Sequence, residues 1–514
     1  MSDVSFDLPD PSLDEYTWLL FDEHTPVAAP PLGSALLTGP ASAEQPGAPR
    51  SLRLNGYTYM RRGTAPGEGG PFGPTTLPAS VEEMRAWRSQ IQPRVDSVVE
   101  RLRSFDPASV SPGAWRETLD EHTGLYWGVF GPIHREAVFP AHAIARRFQE
   151  LYTQRFGQER VGDAVALLQG IPNASLERAG MLWSVSRLLR EDTSLAASVA
   201  QGGGVPESDA GREFASQMQA LREAFGATGE GFVEDQPTWG ESDAIPLAAI
   251  RAYAGQPDGN GPLDSARRQR ERREALEADL RVLSPTDGIA AELLRLLPIA
   301  QELMPNLEDH NYYTDQRLSA ASRARWLAIG GHLVGRGLVG VPDEVFYFER
   351  DELISALEGE WAPQPEVLAQ RRADLVLWRS VPPPPVLGKP LEESGDALPP
   401  EIAARASHLR IVRGVGTSPG SYRGRARVID ALHEAATLEP GDILVTRVTT
   451  PAWTPFFGVV SGLVINVGGL LSHASVVARE FGLPAVVGTR DGTVRIPDGA
   501  TITVDGTNGL VLIE

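Results

Sequence analysis

The sequence predicts an α+β multidomain protein, in which a mostly helical body is followed by a small α/β domain. Three observations predict this fold class. Apolar residues recur at helical spacing from about residue 76 to residue 379, as in "AIARRFQELYTQRFG" and "GIAAELLRLLPIAQELM". A proline-rich tract, "SVPPPPVLGKPLEESGDALPPE", follows at 380–401. From Arg410 onward, short apolar runs alternate with turn residues, which is typical of strands.

Each segment has its own justification. Residues 1–75 are predicted to be an irregular and β segment packed on the body, because Pro and Gly are frequent and "LRLNGYTYMRR" alternates like a strand. Residues 76–379 are predicted to be a mainly helical, substrate-binding domain. Residues 380–409 are predicted to be a linker, since Pro-rich sequences are stiff and extended. Residues 410–514 are predicted to be the α/β domain, with one helix at "SHASVVAREFG".

Composition excludes several classes of function. The 514 residues carry a formal net charge of −20, which argues against binding of nucleic acid or of an anionic membrane surface. There is no cysteine, so disulfides, thiolate nucleophiles and Cys-ligated zinc are excluded. The acidic opening "MSDVSFDLPDPSLDEY" lacks the features of a signal peptide, and no apolar run is long enough for a membrane helix. We therefore expect a cytoplasmic protein.

One histidine stands at a position that suits phosphoryl chemistry. After the predicted strand "GLVIN" come Gly468 and Gly469, then Ser472 as a plausible N-cap, and His473 begins a helix that ends at Gly482. The free N–H groups and the helix dipole at such a start favour an anion, and a neutral imidazole can attack phosphorus. The alternative is a structural or surface histidine.

Four motifs in this region resemble one known family. They are "GVGTSPGSYRGRARV" at 414–428, "GDILVTRVTTPAWTPFF" at 441–457, "GGLLSHASVVAREFGLPAVVGT" at 468–489 and "DGTNGLVLI" at 505–513. Together they resemble the swivelling phosphohistidine domain of phosphoenolpyruvate-utilising enzymes, including pyruvate phosphate dikinase and rifampin phosphotransferase. The resemblance implies that His473 carries a phosphoryl group between a nucleotide site and an acceptor site. Leu471 stands where the dikinases have threonine, so control through phosphorylation of that threonine is not expected.

The helical part also resembles this family. Segments such as "LLQGIPNASLERAGMLWSVSRLL" and "RWLAIGGHLVGRGLVGVPDEVFYFERDEL" are similar to the part of rifampin phosphotransferase that precedes the swivelling domain. They are also similar to the histidine-carrying subunit of phenylphosphate synthase. The chain shows no ATP-grasp domain and no Gly-rich phosphate loop. The resemblance therefore implies an ATP-grasp protein in trans, which brings ATP with Mg²⁺ as phosphoryl donor, and no tightly bound cofactor.

The expected function is transfer of a phosphoryl group from His473 to a hydroxyl or enol of a small, apolar or aromatic acceptor. Two alternatives remain open. In the first alternative, the scaffold is repurposed as an ATP-independent dehydratase, lyase or cyclase of secondary metabolism, with histidine as acid or base. In the second alternative, the chain is a non-catalytic protein that binds a ligand or partner.

A polar constellation, "LEDHNYYTDQRL" at 307–318, lies in the helical body. On an α-helix one face would present Asp309, Tyr312, Tyr313 and Gln316, with His310 beside Thr314 and Arg317. A solvated polar face is the alternative. If the constellation is functional, His310 or Asp309 takes a proton from the acceptor. Tyr312, Tyr313, Gln316 and Arg317 are then the substrate-binding residues.

The remaining candidates surround the expected phosphohistidine. The resemblance places the loop of Trp453 near it, which makes Trp453 a candidate substrate-binding residue. Candidate phosphate-binding residues are Gly469, Ser472, Thr449, Thr450 and Arg423. Arg479 is expected to form a surface ion pair.

No metal site is predicted. His134 and His142 are eight residues apart, which is not a ligand spacing, and no carboxylate cluster completes a site. Together with His24, they are interpreted as structural. Aromatic residues that would suit an apolar acceptor cavity are Trp18, Tyr57, Tyr59, Trp127 and Trp183.

Overall fold

Helices dominate the chain between residues 81 and 379, as the apolar spacing predicts. The computed structural model describes residues 4–21, 27–33, 51–61, 81–201, 206–230, 233–390, 410–470 and 472–514. The helices of the body are α1 (Val81–Arg103), α2 (Trp115–Ile133), α3 (Phe139–Phe156), α4 (Val161–Ala166), α5 (Ala174–Glu191), α6 (Thr193–Ala200), α7 (Asp209–Phe225), α8 (Ala244–Ala254), α9 (Pro262–Leu283), α10 (Gly288–Leu303), α11 (Asn306–His310), α12 (Arg317–Gly335), α13 (Arg350–Glu358) and α14 (Pro365–Arg379).

Two of these helices are reached through a π-helical turn. His134–Val138 joins α2 to α3, and Asn311–Gln316 joins α11 to α12. Each turn widens the helix by one residue, and such π-helical insertions are frequent at functional sites. Both turns lie in the body, and the second directly follows the short helix α11, which carries Glu308.

The N-terminal segment forms a four-stranded sheet in the order β2-β3-β1-β4. Its strands are β1 (Thr17–Leu20), β2 (Ser51–Leu54), β3 (Tyr57–Arg61) and β4 (Val386–Gly388). Asn55 and Gly56, both at positive φ, make the two-residue turn between β2 and β3. Strand β4 belongs to the tract that the sequence predicts as a linker, and it pairs antiparallel with β1. The start of that tract therefore forms an edge strand of the N-terminal sheet.

The C-terminal module is an eight-stranded mixed sheet in the order β5-β12-β11-β7-β8-β9-β10-β6. Its elements are β5 (Arg410–Arg413), β6 (Val415–Ser418), β7 (Ser421–Val428), β8 (Asp442–Thr446), α15 (Thr454–Phe457), β9 (Gly462–Ile465), α16 (His473–Phe481), β10 (Ala485–Val487), α17 (Gly492–Arg495), β11 (Thr501–Asp505) and β12 (Leu510–Ile513). Strands β7 to β10 are parallel neighbours. All residues of β8 and β9 are buried, as expected for parallel strands covered on both faces. These strands and α16 agree with the sequence prediction.

The module and the body share one hydrophobic cluster. Tyr253 of α8 belongs to the same buried cluster as Trp453, Phe456 and Phe457 of the module. Gly458 lies so close to the Tyr253 ring that an added Cβ would be 2.5 Å from its Cε1 atom. The module is thus packed against the body through apolar contacts.

Polar contacts reinforce this docking. The backbone N–H of Gly170 donates to Oε2 of Glu480 at 3.1 Å, and the amide of Gln256 donates to the carbonyl of Val459 at 3.2 Å.

Across the residues that the structure describes, no helix is long and apolar enough to cross a membrane.

Candidate active site

His473 is the first residue of α16, as the sequence predicts. Ser472 precedes the helix and Gly482 ends it with φ +70° in the left-handed region. The prediction that Ser472 caps the helix is wrong in one respect, because its side chain accepts no hydrogen bond from the helix. The Ser472 hydroxyl instead donates to the carbonyl of Gly469 at 2.9 Å and contacts the Ser475 hydroxyl at 3.1 Å. The backbone N–H groups of the first turn are therefore not occupied by a capping side chain.

The imidazole of His473 is held at both ring nitrogens. Nδ1 lies 2.9 Å from Oε2 of Glu308, and Nε2 lies 3.3 Å from Oγ1 of Thr454. Oε2 of Glu308 also accepts a hydrogen bond from the Ser175 hydroxyl at 2.8 Å. Glu308 is 1% exposed, and the His473 side chain is 11% exposed. Because a carboxylate can only accept, Nδ1 carries the hydrogen, and Nε2 of the neutral ring presents a lone pair.

A buried cation lies beside this pair. The guanidinium of Arg178 donates to the carbonyl of Pro451 at 2.6 Å and to the Thr454 hydroxyl at 3.3 Å. Burial lowers the pKa of Arg178 to about 10, while the nearby Glu308 carboxylate acts in the opposite direction. Arg178 therefore remains charged at neutral pH. The Thr454 hydroxyl thus connects a cation to Nε2 of His473.

The predicted phosphate-binding residues have different surroundings. Thr449 and Thr450 are buried, and neither hydroxyl has a hydrogen-bond partner in the described parts of the chain. Gly469 has open space where a Cβ would lie. Arg423 forms an exposed ion pair with Glu514, with Nε 2.7 Å from Oε1. The two threonines therefore lie in the loop that leads to Thr454, and Gly469 lies in the loop before α16, whereas the described contacts of Arg423 are at the surface.

The constellation at 307–318 does not follow the predicted α-helical face, because residues 311–316 are π-helical. A π-turn aligns residues five apart, so the face predicted from three- and four-residue spacing is wrong. The wider turn aligns His310 with Asp315. His310 Nε2 lies 3.8 Å from Oδ2 of Asp315, and the ring contacts that of His134. The structure therefore places His310 beside these two residues, while Glu308, two residues earlier, contacts His473.

Other members of the constellation make structural contacts. Asp309 accepts a hydrogen bond from the backbone N–H of Ala174 at 2.8 Å, at the start of α5. The buried Tyr312 hydroxyl donates to the carbonyl of Ala224, and burial raises the pKa of Tyr312 to about 12. Gln316 is buried.

Tyr312, Tyr313 and Arg317 line an open groove of about 770 Å³. Arg317 Nη1 also forms an ion pair with Asp96 at 2.7 Å. The groove is large enough for a small organic molecule. These three predicted substrate-binding residues are therefore brought to one surface.

Trp453 and Arg479 are both buried. Trp453 is 2% exposed and packs in the hydrophobic cluster shared by body and module. The expectation of a surface ion pair for Arg479 is wrong, because its guanidinium donates to the carbonyls of Leu470 and Thr417 at 2.6 and 3.2 Å. Burial lowers the pKa of Arg479 to about 10. Arg479 therefore connects strand β6 to the loop that precedes α16.

The remaining aromatic and histidine candidates do not converge. Trp18, Tyr57 and Tyr59 belong to the cluster of the N-terminal sheet. Trp127 packs on the cluster of α3 and α10, and Trp183 contacts Tyr253. The five aromatic residues therefore lie in three separate clusters. His142 is half-buried, and burial lowers its pKa to about 4. His24 and Leu471 lie outside the described residues.

Sequence reasoning missed Glu308, Arg178 and Thr454. Arg178 lies on the apolar face of α5 with Ala174, Leu182 and Val185. A charged residue at a position where the helix pattern predicts an apolar one indicates a buried charge with a specific partner, and this pattern is visible in the sequence. Glu308 lies within the quoted constellation, but only the fold distinguishes it from Asp309. Thr454 lies in the quoted loop motif.

Two segments of the chain match family models of known proteins. Residues 438–509 match the family described as PEP-utilising enzyme, mobile domain, and residues 134–308 match the rifampicin phosphotransferase fourth domain. Two segments of the chain are thus similar to parts of phosphoenolpyruvate-utilising enzymes, as the motifs indicate. The match over 134–308 confirms the resemblance of the helical part to rifampicin phosphotransferase over those residues.

Individual relatives are similar over most of the chain. A chondramide synthase from Chondromyces crocatus is 32% identical over 84% of this chain and 12% of its own length. An uncharacterised phosphotransferase, YvkC, from Bacillus subtilis is 28% identical over 74% of this chain and 47% of its own length. The rifampicin phosphotransferase of the same organism is 25% identical over 86% of this chain and 51% of its own length. The chain thus spans about half, or less, of the length of these relatives.

Proposed function

We propose that His473 carries a phosphoryl group on Nε2 and passes it to a hydroxyl or enol of a small acceptor. The observation that carries this proposal is the contact between Nδ1 of His473 and the buried Glu308 carboxylate. It fixes the tautomer in which Nε2 is the nucleophilic nitrogen. The carboxylate also stabilises the positive charge that the ring acquires when Nε2 is phosphorylated.

The surroundings of Nε2 suit an anion. The Arg178 guanidinium supplies a fixed positive charge next to Thr454, and the loop that leads to Thr454 carries the hydroxyls of Thr449 and Thr450, which have no partner in the described structure. Donors held in place in a water-poor site stabilise charge on a transferring phosphoryl group. In the transfer step, the bond from Nε2 to phosphorus breaks as the acceptor oxygen bonds to phosphorus. Nε2 takes up the hydroxyl proton.

Loading requires the module to move. Only 11% of the His473 side chain is exposed in the docked state, and both ring nitrogens contact buried side chains. We propose that an ATP-grasp protein in trans loads His473, with ATP and Mg²⁺, when the module swings away from the body. The groove lined by Tyr312 and Tyr313 is the proposed acceptor site. The two tyrosine rings favour an aromatic acceptor, and the arginines that also line the groove, Arg222, Arg317 and Arg323, favour one that carries polar or acidic groups.

A second candidate is proton transfer without a phosphoryl group. Glu308, His473 and Thr454 form a continuous chain from carboxylate to imidazole to hydroxyl. Such a chain orients a histidine as general acid or base. In this case the chain is an ATP-independent dehydratase, lyase or cyclase.

The test is phosphoryl labelling of the full chain in extract of its native host, with ATP labelled separately at the β and γ positions. The proposal expects acid-labile, base-stable label on the wild-type chain. His473→Ala should lose it, and Glu308→Gln should reduce it. His433→Ala, an exposed histidine of the same module, is the matched control and should label normally. If the wild-type chain takes up neither label while a known phosphoenolpyruvate-utilising enzyme is labelled in parallel, the proton-transfer candidate replaces this proposal.

A further inference from the structure

Three potential ligand atoms converge in the helical body. His134, His310 and Asp315 each offer an atom, and these atoms lie within 4.8 Å of one another. Nε2 of His134 is 4.0 Å and Nε2 of His310 is 3.8 Å from Oδ2 of Asp315. All three residues border or belong to the two π-helical turns, which therefore bring together side chains that are distant in sequence.

The hydrogen bonds of the two rings set their tautomers. Nδ1 of His134 is 2.8 Å from the carbonyl of Phe130, and Nδ1 of His310 is 2.6 Å from the carbonyl of Asn306. A carbonyl only accepts, so each Nδ1 carries a hydrogen. In the neutral rings, both Nε2 atoms then have a lone pair directed into the cluster. Histidines that bind metals usually donate their other N–H to such a carbonyl.

Asp315 supplies an independent indication that a cation binds here. It is 0% exposed, and neither carboxylate oxygen has a hydrogen-bond partner in the described parts of the chain. A buried carboxylate without a partner is costly. A proton on Asp315 would remove the charge but leave the carboxyl group without a hydrogen bond to either ring, because 3.8 and 4.0 Å are too long.

We propose that His134 Nε2, His310 Nε2 and the Asp315 carboxylate bind a divalent transition-metal ion, with Zn²⁺ as the best match. Two imidazoles and one carboxylate are a typical zinc ligand set, whereas Mg²⁺ and Ca²⁺ prefer oxygen ligands. Zinc lies about 2.0–2.2 Å from such ligands, which places ligand atoms of a tetrahedral site about 3.4 Å apart. The distances of 3.8 and 4.0 Å therefore need to shorten by about half an ångström on binding. The sequence predicts no metal site because these ligands are separated by 176 and five residues.

The proposed ion also positions Glu308. His310 follows Glu308 by two residues within α11, and Asp315 lies in the next turn. An ion that fixes both ends of this turn fixes the segment from which Glu308 reaches His473. The ion is therefore a positioning element for the candidate active site, and its binding does not depend on the proposed phosphoryl transfer.

The test is metal binding by the full chain. The protein is stripped with a chelator, dialysed and titrated with Zn²⁺ by calorimetry, then with Co²⁺, whose visible absorption reports a low-coordinate site. We expect one equivalent to bind. Asp315→Asn, which keeps the side-chain shape, and His310→Ala should each weaken binding by about 100-fold or more, since each removes a ligand.

His142→Ala is the matched control, because His142 lies on α3 near the cluster but is not one of its three members. It should bind like wild type. Circular dichroism of each variant establishes that it is folded. The proposal is overturned if the folded wild-type chain binds no stoichiometric Zn²⁺ or Co²⁺. It is equally overturned if Asp315→Asn binds as tightly as wild type.

Discussion

Docking of the C-terminal module depends on a close approach between Gly458 and Tyr253. A Cβ atom at Gly458 would lie 2.5 Å from Cε1 and 2.8 Å from Oη of Tyr253, whose ring is fully buried. Gly458 has φ −73° and ψ −9°, which other residues also adopt, so alanine introduces no backbone strain there. Gly458→Ala is therefore a steric wedge between the module and the body.

The size of the effect follows from packing. One extra methyl group in a close-packed interior costs about 1–3 kcal/mol. If this cost falls on the docked state alone, the ratio of docked to undocked molecules drops by about 5- to 150-fold. Because His473 contacts Glu308 only when docked, the wedge should make His473 more accessible to a loading protein. It should also slow the step that needs the docked site.

Hydrogen–deuterium exchange measures this opening. Peptides that cover α8 (Ala244–Ala254) and α15 (Thr454–Phe457) should exchange faster in Gly458→Ala, while β8 stays protected within the module's own sheet. The control is Gly331→Ala, an exposed position of α12 where a Cβ meets nothing within 4 Å. Unchanged exchange at both interface helices would refute the wedge. Simultaneous loss of protection in β8 would show that the module does not open as a unit.

Two further predictions concern the same module. Burial raises the pKa of Glu480 from 4.5 to about 7. Wild-type stability should therefore fall as the pH rises from about 4.5 to about 7, by up to about 3 kcal/mol. Glu480→Gln keeps an acceptor for the Gly170 N–H but does not titrate. In urea unfolding at pH 5 and pH 8, the variant should therefore not show the fall in stability that the wild type shows. An equal fall in the wild type and the variant would contradict the assignment to Glu480. Gly482 has φ +70° and an added Cβ would touch only Gln269 at 3.5 Å, so Gly482→Ala should lose about 1–2 kcal/mol through backbone strain alone. Gly482→Asn should lose less in the same urea assay, and equal losses would point to packing instead.

Local patterns predicted the elements of the module because their partners are near in sequence. The fully apolar runs of β8 and β9 and the Ser–His helix start are readable without the fold. Strand β4 was not predicted, because its partner β1 precedes it by more than 360 residues and a Pro-rich sequence does not indicate pairing. The packing of the module on Tyr253 is likewise a property of the assembled fold.

The candidate site was predicted in part for a similar reason. His473 was identified from its own helix start and from the family motifs. Glu308 was not, because choosing between it and Asp309 requires knowing which way α11 faces. The π-helical turn after α11 then moves every later side chain relative to an α-helix, so the predicted face of the constellation was wrong while its residues were near the site. No pattern of three- and four-residue spacing reports such a turn.

The segment 306–316 connects the two proposals physically. Glu308 points to His473 of the module, whereas His310 and Asp315 point to His134 of the body. A conformational change that widens the distance between His310 and Asp315 must also move Glu308, because the residues share one continuous helical segment. Removal of the proposed ion should therefore weaken the contact between Glu308 and His473 and favour the undocked module. Faster exchange at α15 in chelator-treated wild-type protein, reversed by Zn²⁺, would establish this coupling, and identical exchange with and without Zn²⁺ would separate the two sites.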